Sequence, residues 1–174
     1  MRSLILLSLA FTIIMLSTIT SGAAGTGKLR ISSPAFRSHD NIPVQYTCDG
    51  SDINPPLLIE GIPGQSKSLA LIVDDPDAPM GTWVHWVVWN MDPKTSEIKE
   101  NNVPEKSSQG INDFRKHEYG GPCPPSGTHR YFFKLYALDT VLNISPDSKK
   151  ADLEKAMKGH ILSQTDLIGL YKRK

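Results

Sequence analysis

Three apolar runs dominate the pattern along the chain. Residues 68–73 carry almost no polar interruption, and residues 83–89 are broken only by His85. A short unbroken run of this kind predicts a strand covered on both faces. Between the two, Asp74-Asp75-Pro76-Asp77-Ala78-Pro79 reads as an acidic loop leaving the sheet, and its two prolines fix φ and hold the carboxylates in place. Strand alternation puts Trp83, His85, Val87 and Trp89 on one face and Val84, Trp86 and Val88 on the other. The third run, 130–138, follows a Gly/Pro-rich loop and aligns His129, Tyr131, Phe133 and Leu135 on one face.

The rest of the chain is weaker in pattern. Leu29 and Ile31 alternate with polar residues, as a short strand ending at Ser33-Pro34 would. Ile42, Val44, Tyr46 and Cys48 alternate too, and Pro43 places that half-buried strand at an edge. Asn54-Pro55-Pro56 forces extended backbone before Leu57, Leu58 and Ile59. Residues 94–118 are polar and read as surface loop with a brief strand at Ile98, while Gly120-Gly121-Pro122-Cys123-Pro124-Pro125 is too rigid for a linker and reads as a pocket wall. Helix is expected only late: Ser148 as N-cap, Leu153, Ala156 and Met157 as a narrow stripe, Gly159 as the stop. Residues 160–164 would add a turn and 166–171 a closing strand. Thirteen prolines and thirteen glycines clustered between the apolar runs favour a mainly β fold, and the length suits one domain.

Composition changes this picture at the N-terminus. Met1 and Arg2, an uncharged apolar stretch over 3–20, and the small residues Ser21 to Gly25 have the three-part form of a secretory leader, residues 1–24, cut near Ala23 or Ala24. The alternative is an uncleaved anchor, which would be the chain's one membrane attachment. Lys and Arg total 19 against 18 Asp and Glu, and removing Arg2 leaves the charges equal. Scattered, balanced charge gives no reason to expect nucleic acid as a partner. Export to an oxidising compartment makes a disulfide between Cys48 and Cys123 one reading, worth about 4 kcal/mol on the chain-entropy estimate. Two separate buried thiols are the other.

Asp75, His85 and His129, with Asp77 nearby, carry the candidate chemistry. Their spacing matches no compact zinc motif, so no metal is expected. No G-x-S-x-G elbow is present and Cys123 is flanked by prolines, so a hydrolase is a weak third reading. Anion binding asks for less: imidazole N–H groups, a tyrosine hydroxyl and exposed backbone N–H groups in a Gly/Pro loop, with an acid to orient a histidine. Against it stands the plainer account of two satisfied core histidines and a turn-forming Asp75.

DDPDAP at 74–79, the W-x-H-W of 83–86 and GPCPPSGTHRYFFKLYALD at 121–139 resemble the phosphatidylethanolamine-binding protein family, in its bacterial and archaeal branch of Raf-kinase-inhibitor-like proteins. The tail from Ala151 is similar to that branch as well, so the likeness runs over residues 28–174. The resemblance implies a β-sandwich with a short C-terminal helix and a non-catalytic pocket for phosphate, carboxylate or a phospholipid head group, without a cofactor. It implies ligand contacts at Asp75, Trp83, His85, Gly121, His129 and Tyr131, with Asp77, Pro79 and Pro122 shaping the loops. Eukaryotic members have proline where Cys123 stands and carry a longer C-terminal helical extension, and both departures weigh against kinase regulation. The expectation is an exported, periplasmic or secreted binding protein that takes a small anionic ligand. The runner-up is a protein–protein regulator, such as an inhibitor of a protease or signalling enzyme, docking an acidic side chain; a homodimer is compatible with either.

Overall fold

The structure, a computed structural model, describes residues 28–173. The expected leader lies outside the described residues. Among the described residues eight strands form two antiparallel sheets. The smaller has the order β1-β2-β5 (Arg30–Ser32, Leu57–Glu60, Glu97–Ile98), and the larger β6-β4-β3-β7-β8 (Ser108–Gln109, Trp83–Met91, Ser68–Asp75, His129–Leu138, Ile161–Tyr171). One helix, α1 (Lys150–Met157), follows β7.

Three layers result. Ile31, Leu57 and Ile59 of the small sheet meet Leu71, Val73, Phe133 and Leu135 of the large one in the main core. The opposite face of the large sheet is covered by α1, where Ala70, Ile72, Val87 and Trp89 pack on Leu153 and Met157. The central strand β3 is therefore buried on both faces along its whole length, as its unbroken apolar run requires. Burying one such aliphatic side chain contributes roughly 1.5–3 kcal/mol. The mainly β sandwich expected from the sequence is the fold observed.

Five local expectations are corrected. Residues 42–48 are not an edge strand: a 3₁₀ turn at Val44–Tyr46 is closed by Tyr46 N–H to Pro43 and Thr47 N–H to Val44, and it leaves Val44 exposed. β3 does not end at Val73 but carries Asp74 and Asp75 within it. Residues 160–164 form no turn of helix, since β8 starts at Ile161 and pairs with β7 along its full length. Lys149, not Ser148, holds the N-cap position of α1, and the Asp152 carboxylate accepts the Lys149 N–H. Gly159 does follow the helix, with φ +84°.

The fifth correction concerns β4. Val73 lies opposite Trp86 but Asp74 lies opposite Val84, so His85 is an extra residue in the strand, a β-bulge. Alternation breaks there. Trp83 and His85 share a side with Trp86 and Val88, while Val84, Val87 and Trp89 turn to the helix side.

Candidate functional site

At the end of β3, successive side chains point to opposite faces, and two adjacent aspartates divide accordingly. Asp74 turns towards α1; Asp75 turns to the rim where β4 and β7 begin. Both oxygens of Asp75 are used. Oδ1 accepts the Asp77 N–H at 2.8 Å, closing the acidic turn, and Oδ2 accepts from Nδ1 of His129 at 2.8 Å. Asp77 then ties the turn to β7 through Arg130, whose Nη2 and Nε donate at 2.7 and 2.9 Å and whose backbone N–H donates at 3.0 Å. That guanidinium holds the Asp77 carboxyl down at about 2.

The bulge frees the backbone of His85 from the β3 ladder. Its carbonyl accepts instead from the Gly120 N–H at 3.0 Å and from Asn112 Nδ2 at 3.1 Å. Its ring Nδ1 donates to the Gly120 carbonyl at 2.6 Å. Gly120 thus brackets His85 from both ends, and a carbonyl partner requires the proton to be on Nδ1. The ring is 3% exposed and stands edge-on to Tyr131 and Phe114, with centroids 5.2 and 5.4 Å away. Burial depresses its pKa, and the Gly120 bond offsets this only in part.

The Gly/Pro wall is fixed from behind. Cys48 and Cys123 form a disulfide with Cα atoms 5.4 Å apart, and the Cys48 N–H donates to the Pro122 carbonyl. Gly121 donates its N–H to Asp52 Oδ1 at 2.6 Å, and a Cβ there would lie 2.7 Å from the Tyr46 carbonyl oxygen and 2.8 Å from Thr47 Cα. No other residue fits that approach without displacing backbone.

These elements enclose a recess of about 390 Å³. Its polar floor is Asp75, His85 and His129; Pro79, Trp83, Phe114, Cys123, Pro124 and Pro125 form apolar walls, and Met80 stands 94% exposed at the mouth. Each histidine is held by Nδ1, and among the described residues nothing bonds either Nε2. Of the residues singled out in the sequence, Asp75, Trp83, His85, His129 and Pro79 line the recess. Gly121, Pro122 and Asp77 stand behind it as supports. Tyr131 lies beneath, 1% exposed, its hydroxyl near the Asp75 carboxylate and the Cys123 backbone without a well-formed bond to either; burial pushes its pKa up.

Phe114 and Met80 were not foreseen. Phe114 comes from the stretch read as open loop, yet that stretch is anchored by buried Asn112, whose side chain bonds His85, Lys116 and Glu118, and by Asp113, which exchanges bonds with Val84. A lone phenylalanine in a polar stretch was the one signal available. Among the described residues no group of three or more His, Cys, Asp or Glu side chains is placed to hold a metal.

Fold and recess together define a two-sheet antiparallel sandwich whose rim presents two oriented imidazoles in an apolar frame. The chain belongs to the phosphatidylethanolamine-binding protein family, whose sequence model matches residues 32–172. A UPF0098 protein of Methanothermobacter thermautotrophicus is 51% identical over 150 residues, covering 83% of this chain and 99% of that one. The UPF0098 protein PH1269 of Pyrococcus horikoshii is 48% identical over 184 aligned positions, covering 100% of this chain and 91% of that one. Among solved structures, CT736 of Chlamydia trachomatis, described as a putative phosphatidylethanolamine-binding protein homologue, superposes with TM-score 0.82 at 39% identity over 84% of this chain and 99% of its own. YbcL of Escherichia coli, described as a member of the mammalian family, gives TM-score 0.80 at 27% identity over 85% and 100% of the two chains.

Proposed function

We propose that the protein is an exported, non-catalytic binding protein whose recess takes a phosphate, a carboxylate or a phospholipid head group. One observation carries the reading: His85 and His129 are both pinned through Nδ1 and turn their remaining ring nitrogens to one cavity. His129 Nε2 donates to an anion when the ring is protonated, while Asp75, each of whose oxygens already accepts a hydrogen bond, orients that ring. Among the described residues lining the recess there is no serine, threonine or free thiol, since the one cysteine of the wall is bridged. Family membership supports a binding role, and the disulfide supports passage through an oxidising compartment.

Titration calorimetry with phosphate and phosphoethanolamine tests the reading. Binding of both is expected in the native protein. In His129→Ala it should fall at least tenfold, about 1.4 kcal/mol, because a charge-assisted hydrogen bond is lost. Unchanged affinity in that variant would sink the pocket. A protein partner is the second reading, supported by Met80 and Phe114 exposed at the mouth; there an acidic side chain would enter the same recess, and a co-purifying protein released by phosphate would be its sign.

A further inference from the structure

The hydrogen-bonding character of the recess is more specific than its charge. A carbonyl oxygen can only accept, so the 2.6 Å contact between Gly120 O and His85 Nδ1 settles where the proton of the neutral ring lies. The second ring nitrogen, Nε2, is then a lone pair. The Asp75 contact fixes His129 in the same Nδ1–H form, but there a carboxylate faces the ring in place of a neutral carbonyl. The two imidazoles are therefore not equivalent: His129 can offer an N–H from Nε2 by taking up a proton beside a negative charge, whereas His85 is surrounded by apolar rings and a dipole.

The charges around the recess point the same way. Those near His85 are Asp75 and Asp74 of β3 and Asp113 of the anchored loop, all acidic; Tyr131 and His129 of β7 complete its surroundings. Among the described residues, no Lys or Arg lines the cavity. The guanidinium one position from His129, that of Arg130, is committed at two nitrogens to Asp77. A fully ionised oxyanion would thus meet a lone pair at His85 and the charge of Asp75, with no lysine or arginine among the described lining residues to answer it. An oxyanion that keeps one proton would donate it to His85 Nε2 and accept from His129.

We infer that the recess selects oxyanions that carry their own proton, a hydrogen phosphate or the acid form of a phosphomonoester, over oxyanions of the same shape that carry none, because His85 presents an acceptor to the ligand. The inference rests on the anion-pocket reading and narrows it. Phosphate and sulfate are both tetrahedral and nearly equal in size, yet only phosphate retains a proton near neutrality. A phosphodiester, including the linkage in an intact phospholipid, has no such proton either. The selection resides in one hydrogen bond whose polarity is reversed for the wrong ligand, which leaves a buried acceptor unsatisfied.

Calorimetry at about pH 6, near the second ionisation of a phosphomonoester, separates the outcomes. Phosphate and phosphoethanolamine should bind at least tenfold more tightly than sulfate, and at least tenfold more tightly than glycerophosphoethanolamine, which keeps the ammonium but is a diester. In His85→Gln, whose side-chain amide can turn a donor to the ligand, the preference for phosphate over sulfate should shrink to about twofold or less. Nitrogen-15 spectra of the native protein supply a readout that needs no variant: with phosphate bound, His85 Nε2 should remain unprotonated. Equal binding of phosphate and sulfate, or a protonated His85 Nε2, would overturn the inference and leave the pocket standing. Binding of neither anion would overturn both.

Discussion

His85 lies in the protein with its ring 3% exposed, and burial lowers its pKa beneath the ordinary 6.5 more than the Gly120 carbonyl raises it. The sign of the consequence follows from proton counting. As pH falls below 6.5 the unfolded chain protonates this histidine while the native state does not, so stability declines, and the decline ends once the lowered native value is passed. Urea midpoints measured through this range should fall less steeply in His85→Gln than in the native protein; parallel slopes would show that the ring's burial does not reach stability. Asp77 works in the opposite sense and at lower pH. Its pKa is lowered from 3.8 to about 2, so its contribution is complete above 3.8 and lost as pH falls through about 2. Arg130 is half exposed, so that contribution is small.

Asp74 holds three elements together from the other side of β3. Its carboxylate is fully buried, Oδ2 accepts from Lys134 of β7 at 2.8 Å and from Lys150 in the first turn of α1, and Oδ1 has no partner. Replacing both lysines by methionine leaves this carboxylate buried without a counter-charge and should cost about 3–5 kcal/mol in denaturant unfolding. Asp74→Ala should cost less, because both lysine side chains are partly exposed to solvent. Elements of this kind show what the sequence makes legible. β3, β4 and β7 stand out because burial on two faces leaves an uninterrupted apolar run, and Asp75, His85, His129 and the Gly/Pro wall stand out because each sits where such a run meets a turn. The 3₁₀ turn at Val44–Tyr46 passes for strand in the sequence because apolar residues stand at every second position from Ile42 to Cys48, although Val44 is exposed. The first half of β8 is exposed or half-buried throughout and has no apolar rhythm to betray it. The bulge at His85 leaves no trace in composition, since it depends on what lies across from it in β3, and Phe114 is held at the recess by the bonds of Asn112 to His85 and of Asp113 to Val84, which join distant parts of the chain.

Across the whole molecule, the bridge between Cys48 and Cys123 closes a loop with a sequence separation of 75 and joins the turn before β2 to the wall of the recess. Constraining the unfolded chain by a loop of that size contributes about 2–4 kcal/mol. The variant Cys48→Ser with Cys123→Ser should lose stability of that order in urea titrations, and protein recovered from an oxidising compartment should show no free thiol under denaturing conditions. Two reactive thiols in that material would remove the main support for export. Among the described residues no helix is long and apolar enough to cross a membrane. The bridge also governs how the protein should be prepared. Material made in a reducing cytosol would lack this latch, and its Gly/Pro wall would be tethered by the bonds of Gly120 to His85, by the Cys48 N–H to Pro122 and by the Gly121 N–H to Asp52. A failed ligand screen on such a preparation would then describe an unlatched wall, and the oxidation state of the sample belongs beside every affinity reported for this recess.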